Sequence, residues 1–228
     1  MRGTLIVLEG AEGAGKTTQV RRLVAALERH SISCVHLREP GGTSLGEAIR
    51  SVLLEPYRTI APPAEALLFM ASRAQLVAER VAPTLAAGSV VILDRFFLST
   101  YAYQINGRGL PEEEVRSANR LAVGDVKPTV NVVLRLSPAQ GLARAGLRGD
   151  RDYMEQLGNE FHARVGTAFD DFVTSEWQQA HPECGPVTGV DASGSEDEVF
   201  ERVIEVVANY APALRTALVD ELQLGAAR

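Results

Sequence analysis

Leu5-Ile6-Val7-Leu8-Glu9-Gly10-Ala11-Glu12-Gly13-Ala14-Gly15-Lys16-Thr17 is the stretch that decides the fold. Its first four residues form an unbroken apolar run, the pattern of a strand buried on both faces of a parallel sheet. From Gly10 to Thr17 the string obeys G-x-x-x-x-G-K-[ST], and a helical pattern opens at Lys16 and runs to His30. Strand, glycine-rich turn and helix in that order make a phosphate-binding loop. Gly10, Gly13 and Gly15 let the backbone wrap closely around an anion. The successive N–H groups of Gly10, Ala11, Glu12, Gly13, Ala14, Gly15, Lys16, Thr17 and Thr18 converge at a helix N-terminus and form an anion nest. Lys16 neutralises charge on β- and γ-phosphates, and the Thr17 hydroxyl is a ligand for Mg²⁺. A nucleoside triphosphate, ATP or GTP, is the expected ligand.

Working outward, apolar runs recur at Val35–Leu37, Val90–Leu93, Val130–Leu136 and Val187–Val190. Helical patterns lie between them at Leu45–Leu54, Pro63–Ala87, Glu112–Val123, Ala139–Ala145, Tyr153–Gln179 and Glu196–Tyr210. Ser137-Pro138 reads as a cap followed by a first-turn proline. Ser195 stands three residues before Glu198, the spacing of a capping box. Alternation from end to end predicts an α/β fold, a five-stranded parallel sheet with helices on both faces, as one domain over residues 1–228. Residues 211–228 read as an extra packing helix or a frayed tail. Ligands of such sheets lie beyond the carboxyl ends of the strands.

The bulk numbers narrow the classes. A formal net charge of -6 argues against a broad nucleic-acid surface while leaving room for arginines gathered in one anion pocket. The two cysteines, Cys34 and Cys184, match no metal or redox spacing, so they read as reduced and structural. No run approaches the roughly 20 apolar residues of a membrane helix. A cytoplasmic, membrane-free protein is expected.

The loop alone does not name a reaction, because ATPases, GTPases and nucleotide kinases share it. The Asn-Lys-x-Asp stretch of a guanine reader is absent from the sequence. Asp94-Arg95, just past the third strand, supplies a carboxylate suited to Mg²⁺ and a guanidinium suited to a phosphate. Phe69 and Arg73 are four apart and share a helix face, and Thr100, Tyr103 and Gln104 fit another. Taken alone, aromatic residues such as Phe69, Tyr101 and Tyr103 more often just pack.

Five strings together resemble bacterial thymidylate kinases. They are Leu8-Glu9-Gly10 through Thr17-Thr18-Gln19; Arg38-Glu39-Pro40-Gly41-Gly42-Thr43; Leu67-Leu68-Phe69 through Arg73-Ala74-Gln75; Asp94-Arg95-Phe96 with Ser99-Thr100 and Ala102-Tyr103-Gln104; and Val190-Asp191-Ala192. The resemblance covers residues from about 3 to about 210. It implies the P-loop kinase fold, ATP and dTMP as substrates, Mg²⁺ as cofactor, and a homodimer. It further implies that Phe69 stacks on thymine and Arg73 meets its carbonyl edge. Ser99 and Thr100 lie near the base, Gln104 lines its pocket, and Tyr103 packs on the sugar and disfavours a 2′-hydroxyl. Arg38 and Arg95 are the candidates for the acceptor phosphate, with Arg50 a further one, and Glu39-Pro40 is a candidate cis peptide.

Arg144, Arg148 and Arg151, beside Gly146 and Gly149, read as a mobile lid over residues 144–155 that closes on ATP. In the family the catalytic arginine sits in either the P-loop or the lid. Here the loop carries Glu12 and no arginine, so the lid supplies it, Arg148 first and Arg151 second. By the same resemblance Arg144 lies on the adenine, and Glu12 meets the sugar 3′-hydroxyl or orders a lid arginine. One departure stands out: where the family reads Asp-Arg-x-Glu, this chain has Asp152-Tyr153-Met154-Glu155, with Arg151 one residue early. Rival readings are a kinase for dUMP, CMP or a deoxynucleoside, and a nucleotide-sensing module or ATPase without such an acceptor.

Overall fold

The computed structural model describes residues 3–55, 59–137, 140, 141, 144, 154 and 157–226. Five strands form one sheet: β1 (Thr4–Glu9), β2 (Cys34–Arg38), β3 (Val90–Asp94), β4 (Val130–Arg135) and β5 (Val187–Asp191). Their order is β2-β3-β1-β4-β5 and every pairing is parallel. The predicted α/β class and all five strands are therefore present. Alternation along β1 explains the two cores. Leu5 and Val7 enter one apolar cluster with Val91, Leu93, Phe96 and Tyr101. Ile6 and Leu8 enter the other with Val90, Ile92, Val132 and Leu134. Side chains of successive strand residues point to opposite faces, so a strand covered on both sides must be apolar throughout.

Helix α1 (Lys16–Arg29) follows β1 and buries Val20, Leu23 and Leu27. Helix α2 (Ser44–Leu54) is capped by Thr43, whose side chain accepts the Gly46 N–H. The stretch read as one helix over Pro63–Ala87 is instead α3 (Pro62–Leu76), a wider π turn at Val77–Val81, and α4 (Ala82–Ala86). The widening lies immediately before Pro83, whose missing N–H cannot close an ordinary helical turn. After β3 come α5 (Phe97–Thr100) and a π segment at Tyr101–Gly107, then α6 (Glu112–Val123).

The second long helical reading, Tyr153–Gln179, is also divided. Helix α7 (Asn159–Phe172) ends, and α8 (Ser175–Ala180) restarts with Thr174 accepting the Trp177 N–H. A threonine that caps a new helix interrupts the old one. Tyr153 lies outside the described residues, as do Ala139 and Ala145 of the helix expected at 139–145; Gln140, Gly141 and Arg144 are helical. Ser195 and Glu198 form the capping box of α9 (Glu196–Tyr210) as predicted. The C-terminal stretch continues as α10 (Arg215–Ala226), with Leu214 and Leu218 buried in the β1–α1–α9 core, so it is a packing helix. Among the described residues no helix is long and apolar enough to cross a membrane.

Candidate active site

Because all strands run the same way, their carboxyl ends open onto one edge. There a cleft of about 1240 Å³ spans the glycine-rich turn, the β2 end, Phe69 and Arg73 of α3, the β3 end, and residues 192–196. The cleft has two differently built ends.

One end is backbone. Gly13 has φ +71 and packs so closely on Gly141 that any Cβ would strike that residue's carbonyl, so the turn tolerates only glycine. Lys16 is buried and donates from Nζ to the carbonyls of Gly10 (2.9 Å) and Ala11 (2.8 Å). Burial, helped by the charge of Arg95, lowers its pKa to about 8, against the pull of Glu12, Asp94 and Glu9. The Thr17 hydroxyl donates to Asp94 Oδ2 at 2.6 Å, so the first turn of α1 and the end of β3 bring together a hydroxyl and a carboxylate. That all-oxygen pair fits a hard, partly hydrated cation such as Mg²⁺ that takes its remaining ligands from water and phosphate.

Arg95 bridges the two ends. Its φ is +70, a left-handed conformation costing roughly 1–2 kcal/mol for a residue with a Cβ. It is held there by its own N–H on the Leu8 carbonyl (3.0 Å) and by its side chain. Nη1 donates to the Gly10 carbonyl and to Ser99 Oγ, both at 3.1 Å, and Nη2 to Glu12 Oε1 at 2.7 Å. The Tyr103 hydroxyl donates to the same Glu12 oxygen at 2.8 Å, and the guanidinium lies over the Tyr103 ring. Burial pushes the Glu12 carboxyl up, but Arg95, Lys16 and Tyr103 more than reverse this, to about 2. Beneath them fully buried Glu9 accepts from the Phe96 N–H (2.8 Å), the Ser99 N–H (3.2 Å) and the Ser99 hydroxyl (2.6 Å).

The other end is side chain. Phe69 is half-buried and lines the cleft. Behind it Arg73, 1% exposed, has all five N–H groups engaged. Nε and Nη2 donate to Glu39 Oε2 (2.7 and 2.6 Å), and Nη2 also to the Phe96 carbonyl (3.0 Å). Nη1 donates to Thr100 Oγ1 and Asn119 Oδ1, both at 2.8 Å. Gln104 donates from Nε2 to Glu65 Oε1 at 2.9 Å, and Glu65 is held by Arg108. The Glu39-Pro40 peptide is cis, and the Gly41 and Gly42 N–H groups donate to Ser72 (3.1 Å) and Glu47 (2.8 Å).

The sequence pattern of the thymidylate kinase family matches residues 8–183. The chain belongs to this family. It is 46% identical over 202 residues to the thymidylate kinase of Synechococcus sp. strain JA-3-3Ab, covering 89% of this chain and 94% of the relative. It is 44% identical over 207 residues to that of Deinococcus radiodurans, covering 91% and 97%. For the thymidylate kinase of Chlorobium chlorochromatii the figures are 42% over 214 residues, 89% and 93%.

Within this thymidylate kinase fold nearly all residues singled out in the sequence line the one cleft: Glu12 to Thr18, Arg38, Phe69, Arg73, Asp94, Arg95, Ser99, Thr100, Tyr103, Gln104 and Arg144. Arg38 reaches Glu47 (3.0 Å), Arg50 reaches the Pro40 carbonyl (3.0 Å), and Arg144 reaches the Ala192 carbonyl (3.2 Å). Arg148 and Arg151 lie outside the described residues. Glu9, Glu39, Glu65 and Asn119 hold the site together, though none of them was given a role in binding or catalysis from the sequence. Two carried a sequence signal: Glu65 is a lone acid in an apolar helix, and Asn119 breaks the buried stripe Val115-Asn119-Ala122-Val123.

Proposed function

We propose that this chain transfers the γ-phosphoryl group of ATP to the 5′-phosphate of dTMP, giving ADP and dTDP for dTTP synthesis. One observation carries it: a single cleft joins a triphosphate nest to a half-buried aromatic ring flanked by ordered polar groups, with Arg95 between them. The sensing and ATPase readings lack a reason for that second end, and the rival acceptors are separated by the acceptor panel below.

The β- and γ-phosphates lie in the nest from Gly10 to Thr18, and Lys16 leaves the Gly10 and Ala11 carbonyls for them. Arg144 covers the adenine. Thr17 and Asp94 would hold Mg²⁺, which supplies positive charge to the β- and γ-oxygens when bound. Phe69 stacks on the pyrimidine, a contact worth ~1–3 kcal/mol by analogy with single-strand binding. Since Arg73 has no N–H to spare, it meets the base carbonyl through the Thr100 hydroxyl or in place of it. Tyr103 packs on the sugar, where Glu12 receives its hydroxyl. Arg38, Arg50 and Arg95 hold the acceptor phosphate.

An oxygen of that phosphate, already anionic at neutral pH, attacks the γ-phosphorus. A new P–O bond forms, the bond to the β–γ bridging oxygen breaks, and ADP leaves with the electron pair. No strong base is required; Lys16, Arg95 and lid arginines Arg148 and Arg151 position and neutralise charge. The test is purified protein with ATP and a panel of acceptors. dTMP phosphorylation well above that of CMP and deoxynucleosides is expected, whereas ATP hydrolysis indifferent to all of them refutes the reading.

A cytoplasmic homodimer completes the proposal. Leu45, Leu67 and Leu121 are 50%, 61% and 88% exposed on α2, α3 and α6, helices that pack side by side. Apolar residues so placed suit a second copy. Sedimentation should give a dimer for the wild type and a shift towards monomer for Leu121→Glu.

A further inference from the structure

Gln104 is 1% exposed and lines the base end of the cleft. A glutamine amide offers one edge that donates and one that accepts, and rotation exchanges them. Its partner here decides which way it faces. Glu65 is 0% exposed, on α3, and both its oxygens are taken by Arg108: Nε reaches Oε1 at 3.2 Å and Nη2 reaches Oε2 at 2.6 Å. A carboxylate gripped by a guanidinium is an acceptor, so the Gln104 amide nitrogen must face it, as it does at 2.9 Å. The Gln104 carbonyl receives no hydrogen bond from any described residue.

The surroundings fix Arg108 in turn. Its guanidinium lies over the Phe161 ring, 5.2 Å from the centroid. Phe161 sits so close to Gly107 that a Cβ there would overlap the ring. Arg164, also on α7, donates to the Gly107 carbonyl at 2.8 Å. The amide is thus locked through a chain that runs from α7 through Arg108 to Glu65.

We infer that Glu65, clamped by Arg108, is a positioning residue that makes Gln104 present only a carbonyl to the acceptor base and thereby selects pyrimidines carrying an N3–H. Thymine and uracil donate that hydrogen to Gln104 Oε1. Cytosine has a lone pair at N3 and faces it with a second acceptor, leaving two acceptors opposed at the buried Gln104 side chain. The inference rests on the function proposed above. It assigns the discrimination between thymine and cytosine to a residue that touches neither, and it predicts none between thymine and uracil from this edge.

Glu65→Gln tests it. The shorter 2.6 Å bond from Arg108 Nη2 keeps the new amide oxygen at the Oε2 position, at the loss of the 3.2 Å bond from Nε. The new amide nitrogen therefore faces Gln104, which then rotates and shows its N–H₂ to the cleft. The preference for dTMP over dCMP in kcat/KM should fall about tenfold or more. The change should sit in KM, with kcat little altered, while the ratio of dTMP to dUMP stays as in the wild type. Losses of equal size for dTMP, dUMP and dCMP, or an unchanged dTMP-to-dCMP ratio, would overturn it. The wild-type protein provides a second arm that does not depend on the variant folding. 3-Methylthymidine 5′-monophosphate lacks the N3–H and should bind at least about tenfold more weakly than dTMP. Equal binding of the two contradicts the inference while leaving dTMP kinase activity intact. A wild type that phosphorylates no pyrimidine monophosphate breaks the functional reading instead.

Discussion

In the function proposed here, the two ends of the cleft recognise their ligands by opposite means. The phosphate end is made of backbone: a turn of glycines, a helix N-terminus, and one lysine resting on two carbonyls of that same turn. The base end is made of buried side chains drawn from distant segments, with Arg73 tied to Glu39, Thr100 and Asn119, and Gln104 tied to Glu65. Phosphate is the same in every nucleotide, so a generic cradle suffices. A base edge differs from its rivals by single hydrogen atoms, and only oriented side chains resolve that. Binding at the first end therefore depends on local conformation, and selectivity at the second depends on long-range packing.

That contrast can be broken most forcefully at Arg73. Arg73→Met strips the buried Glu39 carboxylate of its partner, and removing one half of such a pair costs about 3–5 kcal/mol of folding stability. Urea denaturation should show this, with a smaller loss at low pH. Burial already holds the Glu39 pKa above the usual carboxylate range, so without Arg73 the group takes up a proton readily. A loss under about 1 kcal/mol would mean the base end is not the rigid network described.

At the junction, Arg95→Ala should lower turnover at least ~100-fold, about 2.7 kcal/mol of transition-state stabilisation. Steady-state kinetics with dTMP and ATP measure it, and near-normal kcat would remove Arg95 from the chemistry.

The smallest effect sharpens the phosphate end. In the free protein the Lys16 pKa is lowered to about 8 from 10.5. Between those values the unfolded chain keeps a proton that the folded chain has lost, so stability attributable to Lys16 rises with pH across the window. The charge available to triphosphate falls across the same window. Between pH 7 and pH 9, kcat/KM for ATP should drop about tenfold, one pKa unit's worth of protonation or about 1.4 kcal/mol. Stability rising while kcat/KM falls identifies a buried lysine; both falling together points to general alkaline unfolding.

What could be read from the sequence follows the same division. The glycine-rich turn, the five strands and the capping box are local, so a few adjacent residues announce them. The split of Pro63–Ala87 at Val77–Val81 carried a signal in Pro83 that the continuing apolar pattern overrode, and the break at Thr174 leaves that pattern uninterrupted. Arg73, Thr100 and Gln104 could be named, but the residues that orient them could not. Glu39, Asn119 and Glu65 stand 34, 46 and 39 positions away from their partners, a separation that only the folded sheet closes.

The most direct test of the whole account is the structure of the protein crystallised with dTMP. The pyrimidine should lie against Phe69 with N3 facing the Gln104 carbonyl, and its phosphate should point past Arg95 towards Lys16. A nucleotide bound elsewhere, or a Phe69 ring turned away into the core with the base end closed, would contradict it.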